Sequence, residues 1–222
     1  MSVIRVFIGD DHRIVRAGLR QVLADAPDIV VVGEAATGPM VCLEVTNLAA
    51  QAGVDVVLLD IAMPEQDGLE VLQQLKKQFP SLPILMLSTY PEKQYAVRCI
   101  KLGAAGYLNK SADADDMIAA VRKVAAGGVY VTPATAEALA LAVATPTDKE
   151  PINLLSHREY QVFRLLVVGQ SVSQIGAQLG LASNTVSTYR ARILEKTATK
   201  NDVELALYAE RWSRVASGLP NL

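Results

Sequence analysis

Short β-branched segments alternate with amphipathic helical segments through the first 131 residues, and this alternation constrains the fold more than any other feature. The helical segments place apolar residues three and four positions apart, as at Leu19, Val22 and Leu23. Parallel strands need helical crossovers of one hand, so repeated strand–helix units predict a parallel sheet covered on both faces. We therefore predict a doubly wound α/β domain. Its strands are predicted at residues 3–8, 29–33, 54–59, 84–87 and 106–108.

The rest of the chain has a different pattern. A helix begins at Pro133, and a polar segment with two prolines follows at 144–153, as is typical of a linker. From Leu154 onward only helical periodicity remains, and a helix-turn-helix in a small all-α domain is predicted. The predicted helices are 156–168, 172–179, 183–196 and 201–213. The predicted regions are an α/β domain at 1–131, a helix and linker at 132–153, and the all-α domain at 154–222.

The two parts of the chain carry opposite net charge. Residues 1–150 contain 13 Lys and Arg against 18 Asp and Glu, whereas residues 151–222 contain 8 against 5. A basic helical domain suggests nucleic acid as its partner. With 51% hydrophobic and 20% charged residues, the composition excludes a disordered chain, and no apolar run is long enough for a membrane span. Since the first residues lack a signal-peptide pattern, a cytoplasmic protein without a membrane partner is expected.

Polar residues stand where the predicted strands end. Ligands of open parallel sheets bind at this edge, and here the sequence has Asp10, Asp11, Asp60, Ser88 and Lys110. Three converging carboxylates repel one another unless a cation intervenes, and an all-oxygen cluster suits Mg²⁺. With the ion bound, one carboxylate can attack phosphorus while the ion and the lysine neutralise the phosphoryl oxygens. The sequence therefore predicts a magnesium-dependent phosphoryl site, with Ser88 as a hydrogen-bond donor.

Four separated motifs in this domain resemble, in order, those of the receiver domain of bacterial response regulators. They are Asp10-Asp11, the run Leu59-Asp60-Ile61-Ala62-Met63-Pro64 followed by Asp67-Gly68, the pair Ser88-Thr89, and Tyr107-Leu108-Asn109-Lys110. The resemblance implies a five-stranded parallel sheet in the order 2-1-3-4-5. It also implies that a sensor histidine kinase phosphorylates Asp60.

The resemblance implies roles for the neighbouring residues as well. Asp10, Asp11, Asp60 and the main-chain carbonyl of Ala62 are expected to hold Mg²⁺. Lys110 is expected to pair with the phosphoryl group, Ser88 to turn toward it, and Tyr107 to move inward as a switch. Ala62 and Tyr90 are expected to tune the lifetime of the phosphate.

Two residues beside the acid pair carry their own expectations. His12 is a lone histidine at a helix start, which favours a structural role over a ligand role. Gly9 stands where the family usually has an aliphatic residue, so looser packing is expected there.

The predicted helix at 183–196 has the surface of a DNA-reading helix. Val186, Tyr189 and Ile193 fall on its inner side, whereas the outer side is small, polar and basic. Such a face fits the major groove, where hydroxyl, methyl and guanidinium groups meet base edges. The outer residues expected to contact DNA, with Arg190 beside them, are Asn184, Ser187, Thr188, Ala191 and Arg192. A capping box of Ser156 and Glu159 is predicted to begin the first helix of the domain.

This second domain resembles the LuxR-type helix-turn-helix. The matching residues are Leu155, Arg158-Glu159, Gly169, Ile175-Gly176, Leu179-Gly180, Thr185-Val186, Ile193 and Lys196. Both resemblances together point to the NarL/FixJ class of response regulators. They imply double-stranded promoter DNA as a partner, a homodimer in the active state, RNA polymerase as a further candidate partner, and Lys196 as another DNA contact. Because Ser187 and Tyr189 replace a common lysine and histidine, an unusual sequence preference is expected.

Two alternatives compete with this interpretation. A phosphatase of the haloacid-dehalogenase type also uses an aspartate nucleophile and Mg²⁺, but it needs a second carboxylate where this chain has His12. A pseudo-receiver would respond to a protein partner without phosphate, and the complete acidic set argues against it. The prediction is therefore a transcriptional regulator rather than an enzyme.

Overall fold

The computed structural model describes residues 3–51, 53–89, 92–144 and 155–216. The chain divides into two compact units, Met1–Ala138 and Leu139–Leu222. Residues 145–154, which include most of the predicted linker, lie outside the described residues. Within the described parts of the chain, every helix is too short or too polar to span a lipid bilayer.

The first unit is built on five parallel strands in the order β2-β1-β3-β4-β5, which confirms the predicted sheet. The strands are β1 (Ile4–Gly9), β2 (Ile29–Ala35), β3 (Val56–Asp60), β4 (Ile84–Ser88) and β5 (Gly106–Asn109). The helices are α1 (Arg13–Ala24), α2 (Gly38–Gln51), α3 (Gly68–Gln78), α4 (Glu92–Lys101) and α5 (Ala114–Ala125). Each strand ends one or two residues later than predicted. Asp60 and Ser88, for example, still pair in the ladder with Leu87 and Asn109.

The core lies on both faces of this sheet. Every residue of β3 and β4 is buried, as is usual for central strands of a parallel sheet. One face packs against α1 and α5, where Leu23, Val121 and Val124 join the side chains of the strands. Buried residues of α2 and α3, such as Val45 and Leu72, extend the core beyond this cluster.

Gly9 does not loosen the packing beside the acids. A Cβ atom at this position would lie 2.7 Å from Cγ2 of Val41 and 3.0 Å from Cδ1 of Leu59. The missing side chain is thus replaced by the close approach of α2 to β1, and the expectation of looser packing is wrong.

Helices are the only regular secondary structure among the described residues of the second unit. Its helices are α7 (His157–Val167), α8 (Val172–Leu179), α9 (Ser183–Lys196) and α10 (Asp202–Ala216), and α6 (Pro133–Ala144) precedes them across the division between the units. The core gathers around Leu155, Val162, Ile175, Val186 and Ile193. The predicted capping box of Ser156 and Glu159 is confirmed, and a second one, of Ser171 and Gln174, begins α8.

A tight turn joins α8 to α9. Gly180 ends α8 with a φ of 66°, a conformation that glycine adopts without steric strain. A Cβ atom at Gly176 would lie 2.7 Å from the carbonyl oxygen of Leu181, so only glycine permits this close approach. The two glycines therefore fix the helix-turn-helix geometry that presents α9.

Candidate functional site

Two buried carboxylates and a lysine meet at the carboxyl ends of the strands. Asp10 directly follows β1, Asp60 ends β3, and Lys110 directly follows β5. The Nζ atom of Lys110 lies 2.6 Å from Oδ2 of Asp10 and 2.8 Å from Oδ2 of Asp60. The backbone of Lys110 is held against β4, since its main-chain N–H donates to the carbonyl oxygen of Ser88. The structure thus brings these predicted site residues together.

Two residues that the sequence analysis gave no site role hold the acid pair. The main-chain N–H of His12 donates to Oδ1 of Asp10 over 2.8 Å, and Nδ1 of His12 lies 2.6 Å from Oδ1 of Asp11. Arg16 donates from Nη1 to the carbonyl oxygen of Asp10 over 2.7 Å. Arg16 lies in the first turn of α1, six residues after Asp10, and no motif in the sequence points to this contact.

The electrostatics of the site are dominated by burial. Burial raises the pKa of the Asp60 carboxyl, and Lys110 offsets only part of this effect. Burial alone would lower the pKa of Lys110, but its bonds to Asp10 and Asp60 outweigh burial and raise it. Asp60 is therefore a carboxylate that folding makes costly to ionise and that a cation can stabilise.

The donor set fits a divalent cation. Asp10, Asp11 and Asp60 bring three carboxyl groups together, and the ammonium group of Lys110 contacts two of them. Each of these acids, with His12, offers one ligand atom, and these atoms all lie within 4.8 Å of one another. Carboxylate oxygens at such spacing are typical ligands of a hard divalent ion.

The other predicted residues of this site that the structure describes lie on β4, on β5 and in the loop after β3. Ser88 and Tyr107 are buried, and Ala62 is half-buried. Tyr90 lies outside the described residues. Gly68 packs so closely that a Cβ atom there would collide with the carbonyl oxygen of Asp60. Asp67 caps α3 by accepting from the main-chain N–H groups that follow it.

The outer face of α9 forms the second candidate site. Val186 and Ile193 are buried and Tyr189 is half-buried, so the inner side of the helix is as predicted. Five of the expected DNA contacts are exposed together: Asn184, Ser187, Thr188, Ala191 and Arg192. This small, polar surface with one free-standing arginine has the size and chemistry that the major groove accepts.

Arg190 and Lys196 have partners inside the protein instead. Nε of Arg190 donates to both carboxylate oxygens of Asp202, at 2.8 and 3.1 Å, which ties α9 to the start of α10. Nζ of Lys196 lies 2.6 Å from Oε2 of Glu159, whose side chain is 3% exposed. The two cations therefore orient the helix. Sequence reasoning missed both pairs because the partners are 12 and 37 residues away.

An acidic, lysine-bridged site on a parallel sheet and an exposed helix-turn-helix surface stand in one chain, and this pairing defines the response regulators that act on DNA. Two family models agree with that class. The response regulator receiver domain matches residues 6–122, and the luxR family of bacterial regulatory proteins matches residues 153–209. The chain belongs to the response regulator family and is a two-component response regulator with a LuxR-type DNA-binding domain.

Its relatives match over nearly the whole length. Response regulator GacA of Pseudomonas viridiflava is 39% identical over 214 residues, which are 96% of this chain and 98% of that protein. Response regulator UvrY of Escherichia coli K12 is 37% identical over 210 residues, 94% of each chain. This membership excludes the phosphatase alternative, since these relatives are response regulators rather than enzymes.

Solved structures agree with the fold. The RcsB response regulator of Salmonella typhimurium, studied for its conformational dynamism in DNA interaction, has a TM-score of 0.57. It is 26% identical and covers 95% of this chain and 100% of its own. Response regulator ChrA of a heme-sensing two-component system has a TM-score of 0.51 at 33% identity, covering 97% of this chain and 100% of its own.

Proposed function

We propose that Asp60 accepts a phosphoryl group from a sensor histidine kinase and that this phosphorylation controls promoter binding through α9. The observation that carries the proposal is the lysine bridge between Asp10 and Asp60 at the carboxyl edge of the sheet. Lys110 there can exchange one carboxylate partner for a phosphoryl oxygen without moving its backbone.

The chemistry is a phosphoryl transfer to a carboxylate. An oxygen of Asp60 attacks phosphorus, and an oxygen–phosphorus bond forms while the bond from phosphorus to the kinase histidine breaks. The histidine leaves as imidazole with the electron pair, and the product is an acyl phosphate. Lys110 neutralises an equatorial oxygen, and Ser88 donates a hydrogen bond to the phosphoryl group. Tyr107, buried beside β4, acts as the switch that couples the phosphate to the surface.

The residues that would hold Mg²⁺ are Asp10, Asp11, Asp60 and the main-chain carbonyl of Ala62. When bound, the ion screens the charge of the attacking carboxylate and of the phosphoryl oxygens. Its role at Asp60 follows from burial, because a carboxylate with a raised pKa gains most from a neighbouring cation.

The DNA-reading role belongs to the exposed face of α9. Asn184, Ser187, Thr188, Ala191 and Arg192 are the proposed base contacts. Arg190 and Lys196, held by Asp202 and Glu159, position the helix and reach phosphates only by giving up these partners. The proposed domain bounds are 1–131, 132–153 and 154–222, and the proposed compartment is the cytoplasm.

The active form is proposed to be a homodimer that presents two reading helices to double-stranded promoter DNA. Val203 and Leu207 support this, because they lie one turn apart on α10 and are 71% and 53% exposed. Two such apolar side chains on one helix face are a contact that a second copy can bury. RNA polymerase is the partner through which bound DNA would affect transcription.

The test is phosphorylation by acetyl phosphate with Mg²⁺, followed by intact-mass spectrometry. The wild-type chain is expected to gain one phosphoryl group, and Asp60→Asn none, because an amide is not a nucleophile. Asp25→Asn, at an exposed position after α1, is the matched control and is expected to behave like the wild type. A wild-type level of adduct in Asp60→Asn would reject the proposal.

A further inference from the structure

His12 places an imidazole beside the carboxylates of this site. Its imidazole lies against the acid pair, with Nδ1 2.6 Å from Oδ1 of Asp11 and 3.6 Å from Oδ1 of Asp10. The side chain is 64% exposed, so nothing in the protein core requires this position. The imidazole is therefore placed by its carboxylate neighbours.

The backbone holds His12 in register with the acids. Its main-chain N–H donates to Asp10, and its carbonyl oxygen accepts from the N–H of Arg16 in the first turn of α1. Arg16 in turn donates to the carbonyl oxygen of Asp10. The Cα atom of His12 is thus fixed relative to the carboxylates, while its ring keeps the freedom of an exposed side chain.

The spacing of the donor atoms is that of ligands on one ion. The ligand atoms offered by Asp10, Asp11, His12 and Asp60 all lie within 4.8 Å of one another. Ligands on opposite sides of a divalent ion are separated by about twice the metal–ligand distance of 2.0–2.2 Å. All four atoms therefore lie within reach of a single ion, and Nδ1 of His12 would bind it after giving up the proton that it shares with Asp11.

We propose that His12 is a metal-selecting residue that supplies an imidazole ligand and gives the site a preference for first-row transition ions over Mg²⁺. The inference rests on the proposed metal site and deepens it. Mg²⁺ takes oxygen ligands almost alone, whereas an imidazole adds affinity for ions later in the series from Mn²⁺ to Zn²⁺. Removal of the ring is thus expected to weaken transition-ion binding while Mg²⁺ binding stays nearly unchanged.

The experiment uses Mn²⁺ as the probe on the full chain at one fixed alkaline pH. Electron spin echo envelope modulation detects a nitrogen coordinated to Mn²⁺, and competition with Mg²⁺ gives the ratio of affinities. The wild type is expected to show imidazole nitrogen modulation. His12→Asn is expected to lose it, with about a tenfold or larger loss of Mn²⁺ affinity and less than about a threefold change for Mg²⁺.

Three variants make the outcome decisive. Asparagine is a good N-cap residue, so His12→Asn preserves the start of α1. His157→Ala removes the other histidine of the chain and is expected to keep the modulation. Asp11→Asn is expected to weaken both ions. If wild-type Mn²⁺ shows no nitrogen modulation while Asp11→Asn still weakens binding, the inference about His12 is wrong and the metal site stands. If neither Asp11→Asn nor Asp60→Asn affects binding, the metal site itself fails.

Discussion

Asp60 ends a strand whose five residues are all buried. Because of this burial, the ionisation of its carboxyl depends on the cations next to it. Burial raises the pKa of its carboxyl above that of the unfolded chain. Such a group favours folding below its unfolded pKa, and that contribution is lost as pH rises through the folded pKa. We therefore expect metal-free Asp60→Asn to have a higher free energy of unfolding than the wild type at neutral pH. The difference should vanish at acid pH, as urea titrations in EDTA at several pH values would measure.

Adding Mg²⁺ should change the stability difference between the wild type and Asp60→Asn. An ion that binds the folded carboxylate stabilises the wild type more than Asp60→Asn, so saturating Mg²⁺ should shrink or reverse the difference at neutral pH. Asp25→Asn serves as the control, since its exposed position predicts no such pattern. Equal stabilities of the wild type and Asp60→Asn at every pH would contradict the assigned environment of Asp60.

Glu65 lies in the loop that carries Asp60 into α3, and its φ of 68° is unfavourable for a residue with a Cβ atom. This conformation costs about 1–2 kcal/mol for an L residue, and glycine avoids it at some cost in unfolded-state entropy. Glu65→Gly is expected to raise the free energy of unfolding of the first unit by about 0.5–1 kcal/mol. Ala198→Gly, where φ is 53°, should do the same in the second unit. Urea unfolding would measure both, and a loss of stability in either variant would show that the side chain holds its loop.

At the scale of elements, local periodicity predicted nearly all of the secondary structure. The strands, and the helices from α6 onward, lie within a few residues of their predicted bounds because burial on one face repeats along the sequence. Asp60 and Ser88 became strand residues since pairing in the ladder does not depend on polarity. The position of the acidic site could also be predicted, because parallel strands bring their carboxyl ends together at one edge of the sheet.

Contacts between distant elements were not predictable in the same way. Arg190 and Lys196 look like DNA contacts from their own helix, and their partners stand on α10 and α7. The approach of His12 to Asp11 is equally hidden, since adjacent residues can point in any of several directions. These features depend on side-chain geometry in three dimensions, which a linear pattern does not contain.

The pair of Lys196 with Glu159 leads to an element-scale prediction. Lys196→Met removes the cation that faces the buried Glu159 carboxylate, whose other described side-chain contact is the capping box. This change is expected to destabilise the helical unit by about 1–3 kcal/mol. Glu159→Gln in the same chain should recover part of that loss.

Arg192→Ala should leave stability unchanged and relax preference at particular base pairs by about 1–3 kcal/mol. Urea unfolding and binding to a panel of duplexes would measure these effects.

The exposed Lys200 gives the matched control, since Lys200→Met removes the same charge without a buried partner among the described side-chain contacts. If Lys196 contacted a DNA phosphate instead of stabilising Glu159, the same variant would behave differently. If Lys196→Met keeps wild-type stability and lowers the slope of log affinity against log salt by about 0.9, Lys196 contacts DNA. The interpretation that Lys196 stabilises the fold through Glu159 would then be wrong.

At the scale of the whole molecule, the chain joins two units of different chemistry. Each unit has its own hydrophobic core. Residues 1–150 are net acidic and residues 151–222 net basic, so the acidic part can compete with DNA for the basic part. Phosphorylation could therefore control DNA binding in two physically different ways. Either the receiver restrains the reading domain until it is phosphorylated, or phosphorylation acts only by pairing receivers and raising the effective concentration of the second reading helix.

We expect restraint, because it uses the charge asymmetry that the chain carries. Residues 150–222 alone should then bind a duplex with two half-sites more tightly than the unphosphorylated full-length chain, with a strong salt dependence. The comparison titrates the fragment, a covalently forced dimer of the fragment, and the full-length protein with and without acetyl phosphate. The forced dimer separates the hypotheses: under pairing alone, only the dimer and the phosphorylated chain gain affinity. A monomeric fragment that binds no better than the resting full-length chain would reject restraint, since removing the receiver would then have removed nothing that opposes DNA binding.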